Sequence, residues 1–134
     1  MRPFLFLGTR AEDRAADGEY DAVLRFSGLE ESECRRVRLE RDSLADVLGE
    51  VDLDDWSGVI LGGGPFNVSD PEELKSPAQR RAEAELRALA LHSLKRQREA
   101  IDAAARALEL APESAKPKMR AMLKGIRAGE SAQK

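Results

Sequence analysis

Apolar residues recur along this chain in two rhythms, and the rhythm changes near residue 77. In the first part the apolar runs are short. PFLFLG (3–8) is a continuous apolar stretch closed by glycine, the pattern of a buried parallel strand. GEYDAVLRFSG (18–28) sets Tyr20, Val23, Leu24 and Phe26 largely at helical spacing and ends on Gly28, a residue suited to follow a helix. RRVRLE (35–40) alternates and predicts a strand over 36–40. SLADVLGEV (43–51) predicts a short helix with Ser43 placed to cap it. WSGVILGGG (56–64) predicts a third strand over 57–61. Strand, helix, strand, helix, strand is the α/β pattern, with right-handed parallel crossovers and a predicted strand order of 2-1-3.

Beyond residue 77 the pattern is helical throughout. Ser76 is a candidate cap, Pro77 fits the first helical position, and Gln79 is placed to close a capping box. Neither Gly nor Pro occurs from Ala78 to Ala111, and Ala, Leu, Arg and Glu, all strong helix formers, dominate. Leu86, Ala90, Leu94, Ile101, Ala105 and Leu108 form one stripe at steps of three, four or seven. Two forms fit this stretch: one helix of about 50 Å at about 1.5 Å per residue, or a hairpin turning near Ser93–Gln97. Pro112 stops it. KPKMRAMLKGIR (116–127) predicts a last short basic helix, and AGESAQK is expected to fray. The chain thus divides into an α/β unit over 1–77 and an α-helical extension over 78–134.

Composition sharpens this division. Residues 1–74 hold 8 Lys and Arg against 18 Asp and Glu, a net of −10. Residues 75–134 hold 14 against 7, a net of +7. Two units of opposite sign attract each other, or the basic one meets an acidic partner. The overall charge of −3 points to no nucleic acid. Aromatics at 4% leave little for base stacking. The single cysteine, Cys34, forbids an internal disulfide, and FLFL is too short for a signal sequence or a membrane span. The expected compartment is the cytoplasm, and no metal or cofactor site is evident.

The candidate chemistry sits at Gly62–Gly63–Gly64–Pro65, directly after the third strand. Open α/β sheets bind ligands at such strand ends. Glycine can take positive φ and present bare N–H groups to an oxyanion or a phosphate. The run is neither G-x-G-x-x-G nor a P-loop with its Lys-Ser/Thr. A tight structural turn would use the same residues.

SGVILGGGPFNVSDPEE resembles the segment that precedes the nucleophile in class I glutamine amidotransferases. More narrowly, residues 1–86 resemble the start of stand-alone amidotransferases similar to the glutaminase half of GMP synthase. PFLFLGTRAED, EYDAVLRFSGL, RRVRLE and DLDDWSGVILGGGPFNVSDPEELKSP follow that pattern in order. The resemblance implies an incomplete flavodoxin-like three-stranded parallel sheet and, as family chemistry, hydrolysis of glutamine to glutamate and ammonia. It implies that Gly64, with Gly63 beside it, supplies oxyanion N–H groups. A thiolate would attack the carboxamide, a base would handle the protons, and the N–H groups would hold the tetrahedral oxyanion.

The departures from the family are equally specific. No G-x-C-x-G elbow and no H-x-E pair follow residue 86. Cys34 lies in ESECRRV, ahead of the glycine turn, with Arg35 and Arg36 opposed by Glu31 and Glu33. His92 is followed by SLK. No catalytic residue is therefore assigned, and the chain is expected to be a truncated or recombined member, inactive alone. The nucleotide sequence in other frames across 86–134 and downstream would reveal a split enzyme.

REAIDAAARALELAPES (98–114) resembles the second helix of a tetratricopeptide repeat, the helix pair spanning 86–114. Ala100, Ala107 and Pro112 match, Ala88 is acceptable in the preceding helix, and Leu91 and Ala104 fill the aromatic positions. A plain Ala/Leu helix covering the sheet reads the same way. The alternative function is thus a non-enzymatic interaction module working through region 78–127. A three-stranded sheet also leaves an open edge beside the third strand. Self-association, or pairing with a chain that supplies a strand, is expected there.

Overall fold

The computed structural model describes residues 1–49, 52–94 and 96–132. The far end of the predicted helix 43–51, Lys95 within the predicted turn, and the last two residues lie outside the described residues.

Three short strands, β1 (Phe4–Gly8), β2 (Cys34–Arg38) and β3 (Gly58–Leu61), form a parallel sheet in the order β2-β1-β3. This is the predicted topology. The middle strand is the most apolar, and Leu5, Phe6 and Leu7 are almost wholly buried. β2 begins two residues earlier than its alternation indicates. Leu39 still donates its N–H to Gly8 O at 2.8 Å, but the chain turns at 39–40.

α1 (Asp13–Ser27) crosses one face of the sheet. It starts five residues before the predicted segment and carries Gly18 inside it. Gly28 ends it in the left-handed conformation at φ 71°, and Leu29 N–H closes onto Leu24 O at 3.2 Å. Phe6 and Tyr20 stack with ring centroids 5.7 Å apart beneath this helix.

α2 (Leu44–Leu48) and α3 (Pro77–Ser93) cover the other face. Leu5, Leu7, Val37, Leu39, Leu44, Ala82 and Leu89 form that core. The Ser76 hydroxyl caps α3 by accepting the Gln79 N–H at 3.1 Å, with Pro77 at the helix start, as predicted. Gln79 does not close the box. Its amide instead donates to Asn67 O at 3.0 Å and to Glu83 at 3.1 Å, because those acceptors lie beside it in the folded loop. Ser43 stands at the head of α2 but does not cap it in the usual way. Its hydroxyl donates to Glu85 on α3, whose second oxygen accepts Leu44 N–H at 3.1 Å. A carboxylate from a distant helix thus does the capping.

The 78–111 stretch is a hairpin. α3 ends at Ser93, and α4 (Gln97–Leu110) packs back against it. Arg96 N–H reaches back to Leu91 O at 2.9 Å, and the Arg96 guanidinium grips Glu99 at 2.6–2.7 Å. α5 (Lys116–Ala132) packs on α4 and runs five residues past Arg127, where the predicted helix stops. Ala84, Ala88, Ala100, Ala103, Ala104 and Ala107, with Leu91, Met119, Leu123 and Ile126, fill this second core. Among the described residues no strand follows Leu61, and no helix is long and apolar enough to cross a membrane.

Candidate functional site

In an order of 2-1-3, the chain leaves β1 toward one neighbour and returns on its other side. The carboxyl ends of β1 and β3 therefore flank the point where connections diverge, the usual ligand position in such sheets. Two loops meet there: Thr9–Arg10 after β1, and Gly62–Gly63–Gly64 after β3.

The ladder continues one step into the turn, with Gly62 N–H donating to Leu7 O at 2.9 Å. Gly63 N–H then donates to Glu19 Oε1 at 2.8 Å, so α1 sends a carboxylate into the turn. Arg10 Nε lies 3.3 Å from that same oxygen. Glu19 Oε2 is buried without a hydrogen-bond partner. Thr9 Oγ1 donates to Gly63 O at 3.4 Å.

The glycines are required by crowding. A Cβ at Gly62 would meet Glu19 Oε2 at 2.8 Å and the Phe6 ring at 3.0 Å. A Cβ at Gly64 would meet Thr9 Oγ1 at 2.1 Å, with Thr9 Cβ and carbonyl carbon at 3.2 and 3.3 Å. Gly64 does not use the positive φ open to glycine: among the described residues only Gly28 and Gly49 do. What demands glycine at position 64 is the close approach of the β1 loop, made possible because β1 and β3 are direct neighbours. Gly63, the other predicted oxyanion residue, has room for a Cβ, at 3.4 Å from Glu19.

Arg38, at the end of β2, ties down the β1 loop. Its guanidinium donates to Arg10 O at 3.2 Å and Ala11 O at 3.1 Å, and it pairs with Asp13 and Glu40. Hydrogen bonding and charge from Arg38 hold the Asp13 carboxyl below its ordinary value, and Asp13 in turn raises Arg38. Glu19, Arg10, Thr9 and Arg38 were missed in reading the sequence. The rule that ligands bind beyond strand carboxyl ends pointed to GTRAED after β1 as directly as to the glycines.

Cys34 does not join this site. In register it lies opposite Phe4, at the amino end of the sheet, while the glycine turn follows Leu61, opposite Leu7. At about 3.3 Å per residue the two ends are roughly 13 Å apart. The thiol is buried, which pushes its pKa up, and Tyr20 O–H donates to the Cys34 carbonyl at 2.6 Å. His92 sits in the last turn of α3. Among the described residues no cluster of His, Cys, Asp and Glu is arranged to hold a metal. Gly62 N–H is used by the ladder, and Gly63 N–H and Arg10 are both engaged by the Glu19 carboxylate, so an oxygen-rich group would have to displace Glu19, and the arrangement brings up no nucleophile.

Comparison of the chain with protein-family models, with curated proteins and with solved structures returned no match.

Proposed function

We propose that this chain is a glutamine amidotransferase-like α/β unit that retains the oxyanion-type turn of the class and lacks the nucleophile the turn would serve. The observation that carries the reading is the packing of Gly64 against Thr9 at the adjoining carboxyl ends of β1 and β3. On this reading an acyl oxygen would take the place that the Glu19 carboxylate holds on Gly63 N–H. The assignment of Gly63 and Gly64 as oxyanion or substrate-binding residues, with glutamine as the ligand, belongs to this proposal. Hydrolysis needs a thiolate within reach of the carboxamide carbon, and Cys34 is at the wrong end of the sheet and held as a thiol. Alone, the chain binds without turning over. A single buried thiol suits a reducing compartment such as the cytoplasm.

The test is ammonia release from glutamine by the purified chain. No release above background is expected. Release that is abolished by Cys34→Ser would overturn the reading of Cys34 and of the missing nucleophile. Titration with glutamine, followed through the Gly63 and Gly64 amide resonances, tests the turn itself. Unmoved resonances at saturating glutamine would remove the family-level ligand.

A second reading, a non-enzymatic interaction module, is favoured by the apolar residues exposed around β3 and the 66–75 loop: Leu61, Val68 and Leu74. The helical region contributes to the same surface through Leu86 and Leu110.

A further inference from the structure

The two edges of the sheet differ. β2 carries Arg35, Arg36 and Arg38, charges that deter strand addition. β3 reads Gly-Val-Ile-Leu and carries no charge and no proline. Among the described residues β3 pairs only with β1, so its outer N–H and C=O groups have no ladder partner.

The register fixes which way its side chains point. Val59 lies beside Leu5 and Leu61 beside Leu7, so all four share the face that α3 covers. Leu5 and Leu7 are wholly buried there, yet Val59 and Leu61 are 44% and 62% exposed. The helix layer stops one strand short of what the sheet offers. The space left is a groove of about 660 Å³ with Leu61, Val68, Leu86 and Leu110 among its walls.

The charges in the groove have a sign. Lys75, Arg80, Arg87 and Arg106 face Glu72 and Glu83. Both carboxylates are already held, Glu83 by Lys75 at 2.7 Å and Glu72 by Arg80 at 3.3 Å. Arg87 also borders an adjoining cleft with Glu99 and Asp102, but it forms no ion pair among the described residues. Arg106 pairs with the exposed Glu109 at 3.1 Å, so Arg87 is the cation that leaves the groove positive on its helical side, next to the apolar β3.

We propose that this groove receives an extended segment of a partner protein, added beside β3 as a fourth strand. Its side chains on the α3 side are apolar next to Val59 and Leu61 and acidic where they reach Arg87. The backbone of β3 supplies the affinity common to any strand, and the pocket and the arginine supply the choice. A second copy of this chain fits less well. Its own open strand would bring apolar side chains but no carboxylate. The proposal is independent of the glycine-turn reading, because none of these residues belongs to that turn.

The probe is a fluorescein-labelled heptapeptide with valine at its third and fifth positions, glutamate at both ends and threonine between. Binding to the full chain is read by fluorescence anisotropy. The glutamate-ended probe is expected to bind about tenfold tighter than the same peptide ended in lysine, and this preference should collapse at high salt. N-methylation of alternate backbone amides should abolish binding. Leu61→Lys and Arg87→Glu should each weaken it about tenfold with the melting temperature unchanged, since both side chains are exposed. Equal affinity for the two probes, or full affinity in Leu61→Lys, would overturn the proposal. So would a concentration-dependent dimer in sedimentation that Leu61→Lys dissolves, because the occupant would then be a second copy.

Discussion

The core between the sheet and α3 is made of large side chains, and the core joining α3, α4 and α5 is made mostly of small ones. Leu5, Leu7, Val37, Leu39 and Leu44 interdigitate in the first. Alanines from α3 and α4 meet in the second, with longer residues coming chiefly from α5. A leucine core draws its stability from the apolar area each side chain removes from water. An alanine seam removes less area per residue but lets backbones approach closely, so it gains through many short contacts. The two cores should therefore fail in opposite ways, one by subtraction and the other by insertion.

The largest effect belongs to subtraction in the sheet core. Leu7 is wholly buried in the middle strand. Leu7→Ala is expected to cost about 2–5 kcal/mol in urea unfolding, the usual penalty for a core cavity. A cost below about 1 kcal/mol would mean that this core is loosely packed, and the contrast between the halves would disappear.

Insertion into the helical seam comes next. Ala104 is also wholly buried, against α3. Ala104→Leu should cost about 1–3 kcal/mol by overpacking, whereas Ala104→Gly should cost about 1 kcal/mol through helix propensity. If the leucine variant is the more stable of the two, the seam holds free space and is not built on close approach.

The glycine turn lies outside both cores and gives a local control. Gly64→Ala should destabilise by about 1 kcal/mol through collision with Thr9. Thr9→Ala made together with it should recover part of that loss, since the 2.1 Å contact is to the threonine hydroxyl. Additive losses in the double variant would show that the two residues do not meet.

The smallest effect is a slope with pH at the junction of the cores. Glu85 is wholly buried, and desolvation raises its carboxyl above the ordinary 4.5, outweighing the hydrogen bonds from Ser43 and Leu44. A carboxyl with a raised folded value contributes its stability below about 4.5 and loses it as pH rises through that folded value. Glu85→Gln has no such loss. Compared with the parent chain it should gain in urea midpoint as pH rises from 4 toward neutrality, by less than about 1 kcal/mol. Asp13 and Glu113, whose carboxyls are lowered by Arg38 and Lys116, act in the opposite direction and cancel in the comparison. A difference that stays flat with pH would mean that Glu85 titrates alike in the folded and unfolded chain.

Much of the fold was legible because the strands are apolar runs bounded by glycine, and because right-handed crossovers leave few orders for three parallel strands. The Ser76–Pro77 start of α3 was equally plain. One helix and a hairpin fit 78–111 equally because no Gly or Pro separates α3 from α4. The hairpin's signature is the Arg96–Glu99 pair, which also suits an unbroken helix. Ser43 and Gln79 suit local caps, yet the Ser43 hydroxyl donates to Glu85, 42 residues on, and the Gln79 amide donates to Asn67 and Glu83. A buried carboxylate accepts from the Ser43 hydroxyl and the Leu44 N–H together, and so takes over the role of the cap. The site was half legible. The glycines marked the turn, but Glu19 reaches Gly63 across 44 residues, and no local pattern encodes that meeting. Position 64 lacks the positive φ that would demand glycine, and its crowding against Thr9, which sequence does not show, is what disfavours a side chain there.

Helix α3 belongs to both cores at once. Ala82 and Leu89 face the sheet, while Ala84, Ala88 and Leu91 face α4 and α5. On a ribosome, the three strands and α2 emerge before α3 can close their leucine face. The nascent sheet must wait for residues 77–93 to clear the exit tunnel, and that helix arrives with its second face still bare. At β3 the covering stops short of the sheet's edge, with Val59 and Leu61 left exposed.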